Sequence, residues 1–143
     1  MHKWLWGIAL SGPTVLIADD SLVARSMICR IIEAECNIIA IADNGLLALE
    51  YALHFTPDIA LLDISMPNLN GFNVAEKITI LKLPIKIIFI SGFEETVYIR
   101  KARAVGASAY VAKPCIASDL LEAMNEAMHG RWFVSPYLEK LKK

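Results

Sequence analysis

The sequence predicts an α/β domain built on a doubly wound parallel sheet with helices on both faces. Two observations lead there. Short apolar, β-branched runs alternate with segments of helical period, five of each. The runs are also continuous rather than alternating apolar and polar, the pattern of strands covered on both sides. Right-handed crossovers then wind the chain around a single sheet.

Each element has its own signal. Residues 14–18, TVLIA, form a first strand ending in Asp19-Asp20. Helical spacing follows over 21–35, with Ser21 as N-cap and Val23, Met27, Ile31 and Ala34 as the expected inward face. NIIAIA (37–42) is the second strand. Residues 44–55 read as a helix opened by Asn44 and stopped before Pro57. DIALLDI (58–64) is the third strand, and after a turn through Met66-Pro67 a helix runs from Gly71 to about 83. IKIIFIS (85–91) is the fourth strand. The helix over 94–106 has acids first, bases last and Gly106 as its stop. SAYVAKP (108–114) is the fifth strand, and 118–130 a last helix with Ser118 as its cap and Gly130 as its end.

The chain's 143 residues suit one domain able to bury a sizeable core. Apolar residues make up 56 % and charged residues 20 %, which argues against disorder. A net charge of −1 gives no global basic footprint for nucleic acid. Cys29, Cys36 and Cys115 form no zinc-type spacing, and an odd number of thiols fits a reducing cytoplasm. The start, MHKWLWGIALSGP, has a basic end and an apolar run from Trp4 to Leu10, too short to span a bilayer. Residues 1–12 read as an extension packed against the domain or as an artefact of the start site, with secretion the minority reading. The domain proper is placed at 13–129 and a tail or linker at 130–143.

Function is sought where such sheets bind ligands, outside the carboxyl ends of the strands. There stand Asp19 and Asp20, then Asp63, then Ser91, then Tyr110 and Lys113. Each has an ordinary explanation: a helix cap, a turn acid, a turn serine, a surface lysine. Tyr110 equally reads as a buried ring with its hydroxyl at the surface. Their convergence on one edge is what points to chemistry. Three neighbouring carboxylates repel each other, and one lysine offsets only one charge. An all-oxygen set suits a hard divalent ion, Mg²⁺ before Zn²⁺. With Mg²⁺, Lys113 and the Ser91 hydroxyl around the oxygens of a phosphoryl group, Asp63 is placed for in-line attack on phosphorus.

The segments IADD (17–20), LLDISMPNLNG (61–71), IFISG (88–92) and GASAYVAKP (106–114) together resemble the receiver domain of two-component response regulators. The likeness covers about 13–129. It implies the flavodoxin-like strand order 2-1-3-4-5 and a phosphorylated Asp63. It further implies Mg²⁺ held by Asp20, Asp63 and the Ser65 backbone carbonyl, with Asp19 acting through water. Lys113 pairs with the phosphoryl oxygens, Ser91 is the switch hydroxyl and Tyr110 the aromatic that moves inward with it. Pro114 follows a peptide bond that the family usually keeps cis. Such a domain takes its phosphoryl group from a sensor histidine kinase and is a signalling phosphoacceptor, not a metabolic enzyme. Its output face, here 94–129, is the candidate homodimer contact, with Val97, Ile99, Ala102, Arg100, Lys101 and Arg103 as its residues.

The tail HGRWFVSPYLEKLKK resembles the junction that precedes a helix-turn-helix output domain in NarL/FixJ-type transcription regulators. Two readings stand: a receiver belonging to a longer transcription regulator, which would meet DNA only through that further domain, or a single-domain regulator acting by protein contact. The other reading for Trp132 and Phe133 is packing of the last helix. Competing functions fare worse. A haloacid dehalogenase-type phosphatase wants an acid two residues after its nucleophile, where this chain has Ser65. A flavodoxin wants a hydroxyl-rich loop where Asp19-Asp20 stand, and no GxxxxGK phosphate loop is present. No basic recognition helix or membrane segment is visible.

Overall fold

The computed structural model describes residues 12–140 and, of the N-terminal segment, the backbone of 3–5 and 8–10. Those two short strands, β1 (Lys3–Leu5) and β2 (Ile8–Leu10), pair antiparallel as a hairpin. Whether the extension packs on the domain concerns side chains outside the described residues.

The body is a six-stranded parallel sheet of β3 (Thr14–Ala18), β4 (Asn37–Ala42), β5 (Ile59–Leu62), β6 (Lys86–Ser91), β7 (Ala109–Ala112) and β8 (Phe133–Val134). Their order is β4-β3-β5-β6-β7-β8. Counted within the sheet this is 2-1-3-4-5 with a sixth strand added at the edge. That last strand, two residues long, lies in the segment read from sequence as tail or linker. After it comes a five-residue helix, α6 (Pro136–Lys140).

Period-two alternation divides the core. Leu16, Ala18, Ala60, Leu62, Ile87, Phe89 and Tyr110 face one layer, formed by α2 (Gly45–Phe55), α3 (Gly71–Ile80) and α4 (Thr96–Ala104). Val15, Ile17, Ile59, Leu61, Ile88, Ile90 and Val111 face the other, formed by α1 (Leu22–Ile32) and α5 (Ile116–Met128). Strands buried on both faces must be apolar throughout, which is why their runs are continuous.

Two local expectations are corrected. The buried face of α1 is Ile28 and Ile32, while Val23 and Met27 are exposed. The helix carries apolar residues over much of its circumference, so two faces compete, and contact with α5 decides between them. Ser118 does not cap the last helix. A 3-10 turn, Lys113–Cys115, leads directly into α5 at Ile116, and the Ser118 hydroxyl donates to the Cys115 carbonyl instead. Ser21 and Asn44 cap as expected, accepting from the amides of Ala24 and Leu47.

Candidate functional site

Three loops at the carboxyl edge of the sheet build the site. The first follows β3. Asp19 is buried, its Oδ1 accepts the Ser21 amide at 2.8 Å, and its carbonyl accepts Arg25 Nη1 at 2.7 Å. Asp20 beside it is exposed. The second loop follows β5, where Asp63 is buried and its amide donates to the Ala18 carbonyl at 2.9 Å. Close packing fixes the turn beyond it. The Gly71 amide donates to Ile64 O, and a Cβ on Gly71 would lie 2.1 Å from Asp63 O. Gly45, at the start of α2, donates to Pro67 O, and a Cβ there would stand 1.6 Å from Leu69 O. Both glycines are needed because two helix N-termini close on this turn.

The third loop follows β7 and supplies Lys113. Its Nζ lies 2.9 Å from Asp19 Oδ2 and 3.5 Å from Asp63 Oδ2. Carboxylate oxygens of Asp19, Asp20 and Asp63 all lie within 4.8 Å of one another. Asp19 Oδ2 is fully buried, and the off-axis contact with Lys113 leaves it without an aligned hydrogen-bond donor. Lys113 thus pairs with two of three clustered carboxylates, Arg25 reaches only the Asp19 backbone, and an excess of negative charge is left. Burial, then the charge of Asp19, raises the Asp63 carboxyl to about 6; Lys113 opposes this, Asp20 adds to it, and the Ile64 amide opposes it. Burial lowers the Lys113 ammonium, but bonding to Asp19 and the charges of Asp63 and Asp19 outweigh it, and its net direction is up. An all-oxygen donor set that keeps this excess negative charge, with Asp19 Oδ2 buried, fits a hard divalent cation.

Next to this pocket is a second, connected arrangement. Ser91 ends β6 fully buried, and its Oγ accepts the Phe93 amide at 3.0 Å. Tyr110 is also fully buried, and its hydroxyl donates to the Phe93 carbonyl at 2.6 Å. Burial above all pushes the phenol up to about 12, so it remains a donor at neutral pH. The ring is thus inside, with its hydroxyl on a backbone carbonyl rather than at the surface. Phe93 stacks on Tyr98 at 4.4 Å. Together with Ser65, Phe72 and Lys101 they line an open groove of about 470 Å³.

The residues singled out for the phosphoryl site therefore reach one edge: Lys113 in contact with Asp19 and Asp63, Asp20 within 4.8 Å of both acids, Ser65 on the turn after Asp63, and Ser91 and Tyr110 around Phe93. Arg25, which holds the Asp19 carbonyl, was not anticipated; nothing in its helical spacing marks it. The Lys113–Pro114 bond is not cis, since the described residues contain no cis peptide. Pro114 instead sits in the first turn of the 3-10 segment, where its fixed φ fits and no amide is needed. Burial, then the charges of Asp119 and Glu94, raises the Cys115 thiol.

Residues 15–125 match the family model described as "Response regulator receiver domain". The chain belongs to that family. This receiver domain is 30 % identical over 126 residues to a probable transcriptional regulatory protein NarL of Mycobacterium tuberculosis, covering 87 % of this chain and 58 % of the relative. It thus spans little more than half of that protein. The solved signal receiver domain of the M. tuberculosis NarL superposes with a TM-score of 0.81 at 28 % identity, over 85 % of this chain and 100 % of the other. The response regulator domain of Thermotoga maritima CheB superposes with a TM-score of 0.76 at 31 % identity, over 82 % and 97 % of the two chains. The sheet order and helix layers are those of a flavodoxin-like receiver, and the protein is a receiver domain of the two-component response regulators. No helix among the described residues is long and apolar enough to cross a membrane.

Proposed function

We propose that Asp63 is the phosphoacceptor. The observation that carries this is the Asp19, Asp20 and Asp63 cluster, closed on one side by Lys113. A carboxylate oxygen of Asp63 attacks phosphorus in line, and the bond to the donor breaks with its electron pair leaving on the donor atom. For a histidine kinase that atom is an imidazole nitrogen; with the other ring nitrogen of the donor protonated, it departs as neutral histidine. Asp63 ends a rigid core strand, so its position is set before the donor arrives. Lys113, already between Asp19 and Asp63, pairs with the transferred phosphoryl oxygens. Asp20, Asp63 and the Ser65 carbonyl would hold Mg²⁺, with Asp19 acting through water, and the ion would supply positive charge against the three carboxylates.

The Ser91 hydroxyl, now engaged by the Phe93 amide, is the group that turns to the phosphoryl oxygen. Tyr110 follows, because both side chains bond to Phe93. The protein acts as a cytoplasmic signalling phosphoacceptor for a sensor histidine kinase and modulates transcription through an output domain or partner. Its candidate dimer face within 94–129 is narrower than the sequence suggests. Ile99 and Ala102 are buried in the core, Lys101 lies over the Phe72 ring and Arg103 over Trp132, while Val97 and Arg100 remain outside.

Intact mass after incubation with acetyl phosphate tests this reading. A single phosphoryl adduct is expected with wild type and Mg²⁺, and none with Asp63→Asn or with chelator. An adduct persisting on Asp63→Asn would assign the acceptor elsewhere.

A further inference from the structure

The family match ends at residue 125, yet the sheet does not. Strand β8 runs parallel to β7 with Phe133 opposite Ala109 and Val134 opposite Tyr110. The next residue, Ser135, donates its amide to the Tyr110 carbonyl at 3.0 Å. Its hydroxyl then replaces the backbone as the last rung: Oγ accepts the Ala112 amide at 3.0 Å. Ser135 and Ala112 are both fully buried, so no water stands in for that bond. Ala112 immediately precedes Lys113 and is the register partner of Ser91. Three residues later Leu138, also buried, packs in the same core cluster as Tyr110, and its amide donates to the Ser135 carbonyl at 2.9 Å. On the outside, Tyr137 reaches Glu94 Oε1 at 3.5 Å, in the loop whose Phe93 carries the Ser91 and Tyr110 bonds.

We propose that Ser135 is a positioning residue of the phosphoacceptor site and that docking of residues 133–140 on β7 is linked to its state. The inference rests on Asp63 being the acceptor. Ser135 acts through Ala112: it fixes the end of β7 and hence the root of the Lys113 side chain, whose ammonium must bridge Asp19 and Asp63. Linkage runs both ways. A phosphoryl group that draws Lys113 and Ser91 toward itself pulls on both strand ends next to Ala112, and with them on the hydroxyl that anchors the C-terminal segment. The segment thereby becomes the element through which the site's state leaves the sheet.

The test compares adduct formation from acetyl phosphate at saturating Mg²⁺, at a temperature where every variant is folded, for wild type, Ser135→Ala and Ser135→Thr. Ser135→Ala is expected to slow the reaction about tenfold, because loosening the end of β7 misplaces the Lys113 ammonium at the reacting group. Ser135→Thr keeps the oxygen and should restore most of the rate. On the Lys113→Gln background, Ser135→Ala should change the rate less than about twofold, since the two act in series. Amide exchange over 133–138 in wild type should change at least about threefold when the adduct forms, a readout that a purely structural serine leaves still. Ser135→Ala reacting at the wild-type rate, or exchange over 133–138 indifferent to the adduct, overturns the proposal alone. Absence of any adduct on wild type overturns both it and the assignment of Asp63.

Discussion

Replacing Asp63 with Asn should stabilise the protein when no divalent ion is present. The Asp63 carboxyl rises from 3.8 to about 6, through burial first and the charge of Asp19 second. At about 1.4 kcal/mol per pH unit, the ionised form costs the folded state on the order of 3 kcal/mol. The folded state holds the proton more tightly than the unfolded chain, so stability falls as pH rises from about 4 to about 6 and the full cost stands above that. Asn removes the charge, keeps the shape and leaves Lys113 on Asp19 at 2.9 Å. At roughly 3–4 °C per kcal/mol for a chain of this size, Tm should rise about 10 °C at pH 8 in chelator. Differential scanning fluorimetry of both proteins from about pH 4.5 to 8 reads this directly. The gap should close toward the acid end, and Mg²⁺ should raise the wild type while leaving Asp63→Asn nearly unmoved. A Tm for Asp63→Asn at or below wild type at pH 8, or a gap independent of pH, would refute the view that charge repulsion dominates this pocket.

Lys113→Met leaves Asp19 Oδ2 buried with no cation, and a loss on the order of 3 kcal/mol is expected in urea denaturation without Mg²⁺. Asp20→Asn alters an exposed acid, so stability in chelator should move by less than about 0.5 kcal/mol while the Mg²⁺-dependent rise in Tm shrinks markedly. Gly71→Ala drives a methyl against Asp63 O at 2.1 Å; a destabilisation of about 3 kcal/mol and a slowed adduct in intact-mass time courses are expected. Leu120→Ala empties a fully buried position between α5 and the sheet, which should cost about 2–5 kcal/mol by denaturant midpoint while leaving the adduct site intact.

What could be read in the sequence was what the sheet imposes on every strand. Runs such as TVLIA and IKIIFIS must be apolar on both parities because both faces are covered, and the acid ending LLD is conspicuous against that rule. The same logic fails for helices and short edges. In α1 the apolar residues Leu22, Val23, Met27, Ile28, Ile31 and Ile32 surround much of the axis, and a one-residue rotation separates the expected face from the buried one. A two-residue strand such as Phe133–Val134 has no period to detect. The pairing of Lys113 with Asp19 joins residues far apart in the chain, so only the parallel register reveals it.

Those features share a physical logic. Desolvated carboxylates at a strand end are a cost that no local sequence rule predicts, and the fold tolerates it only through partners brought from distant elements. Arg25 and the Ser21 amide hold Asp19, Lys113 bridges it to Asp63, and the Ser135 hydroxyl ties the strand that carries Lys113. The negative charge left over raises the free energy of the resting state. A cation relieves it, which makes the pocket responsive to a small ionic ligand while the core beneath stays fixed. Because these partners come from α1, from the end of β7 and from the C-terminal edge of the sheet, the proposed coupling has a contiguous route from Asp63 through Lys113 to Ser135.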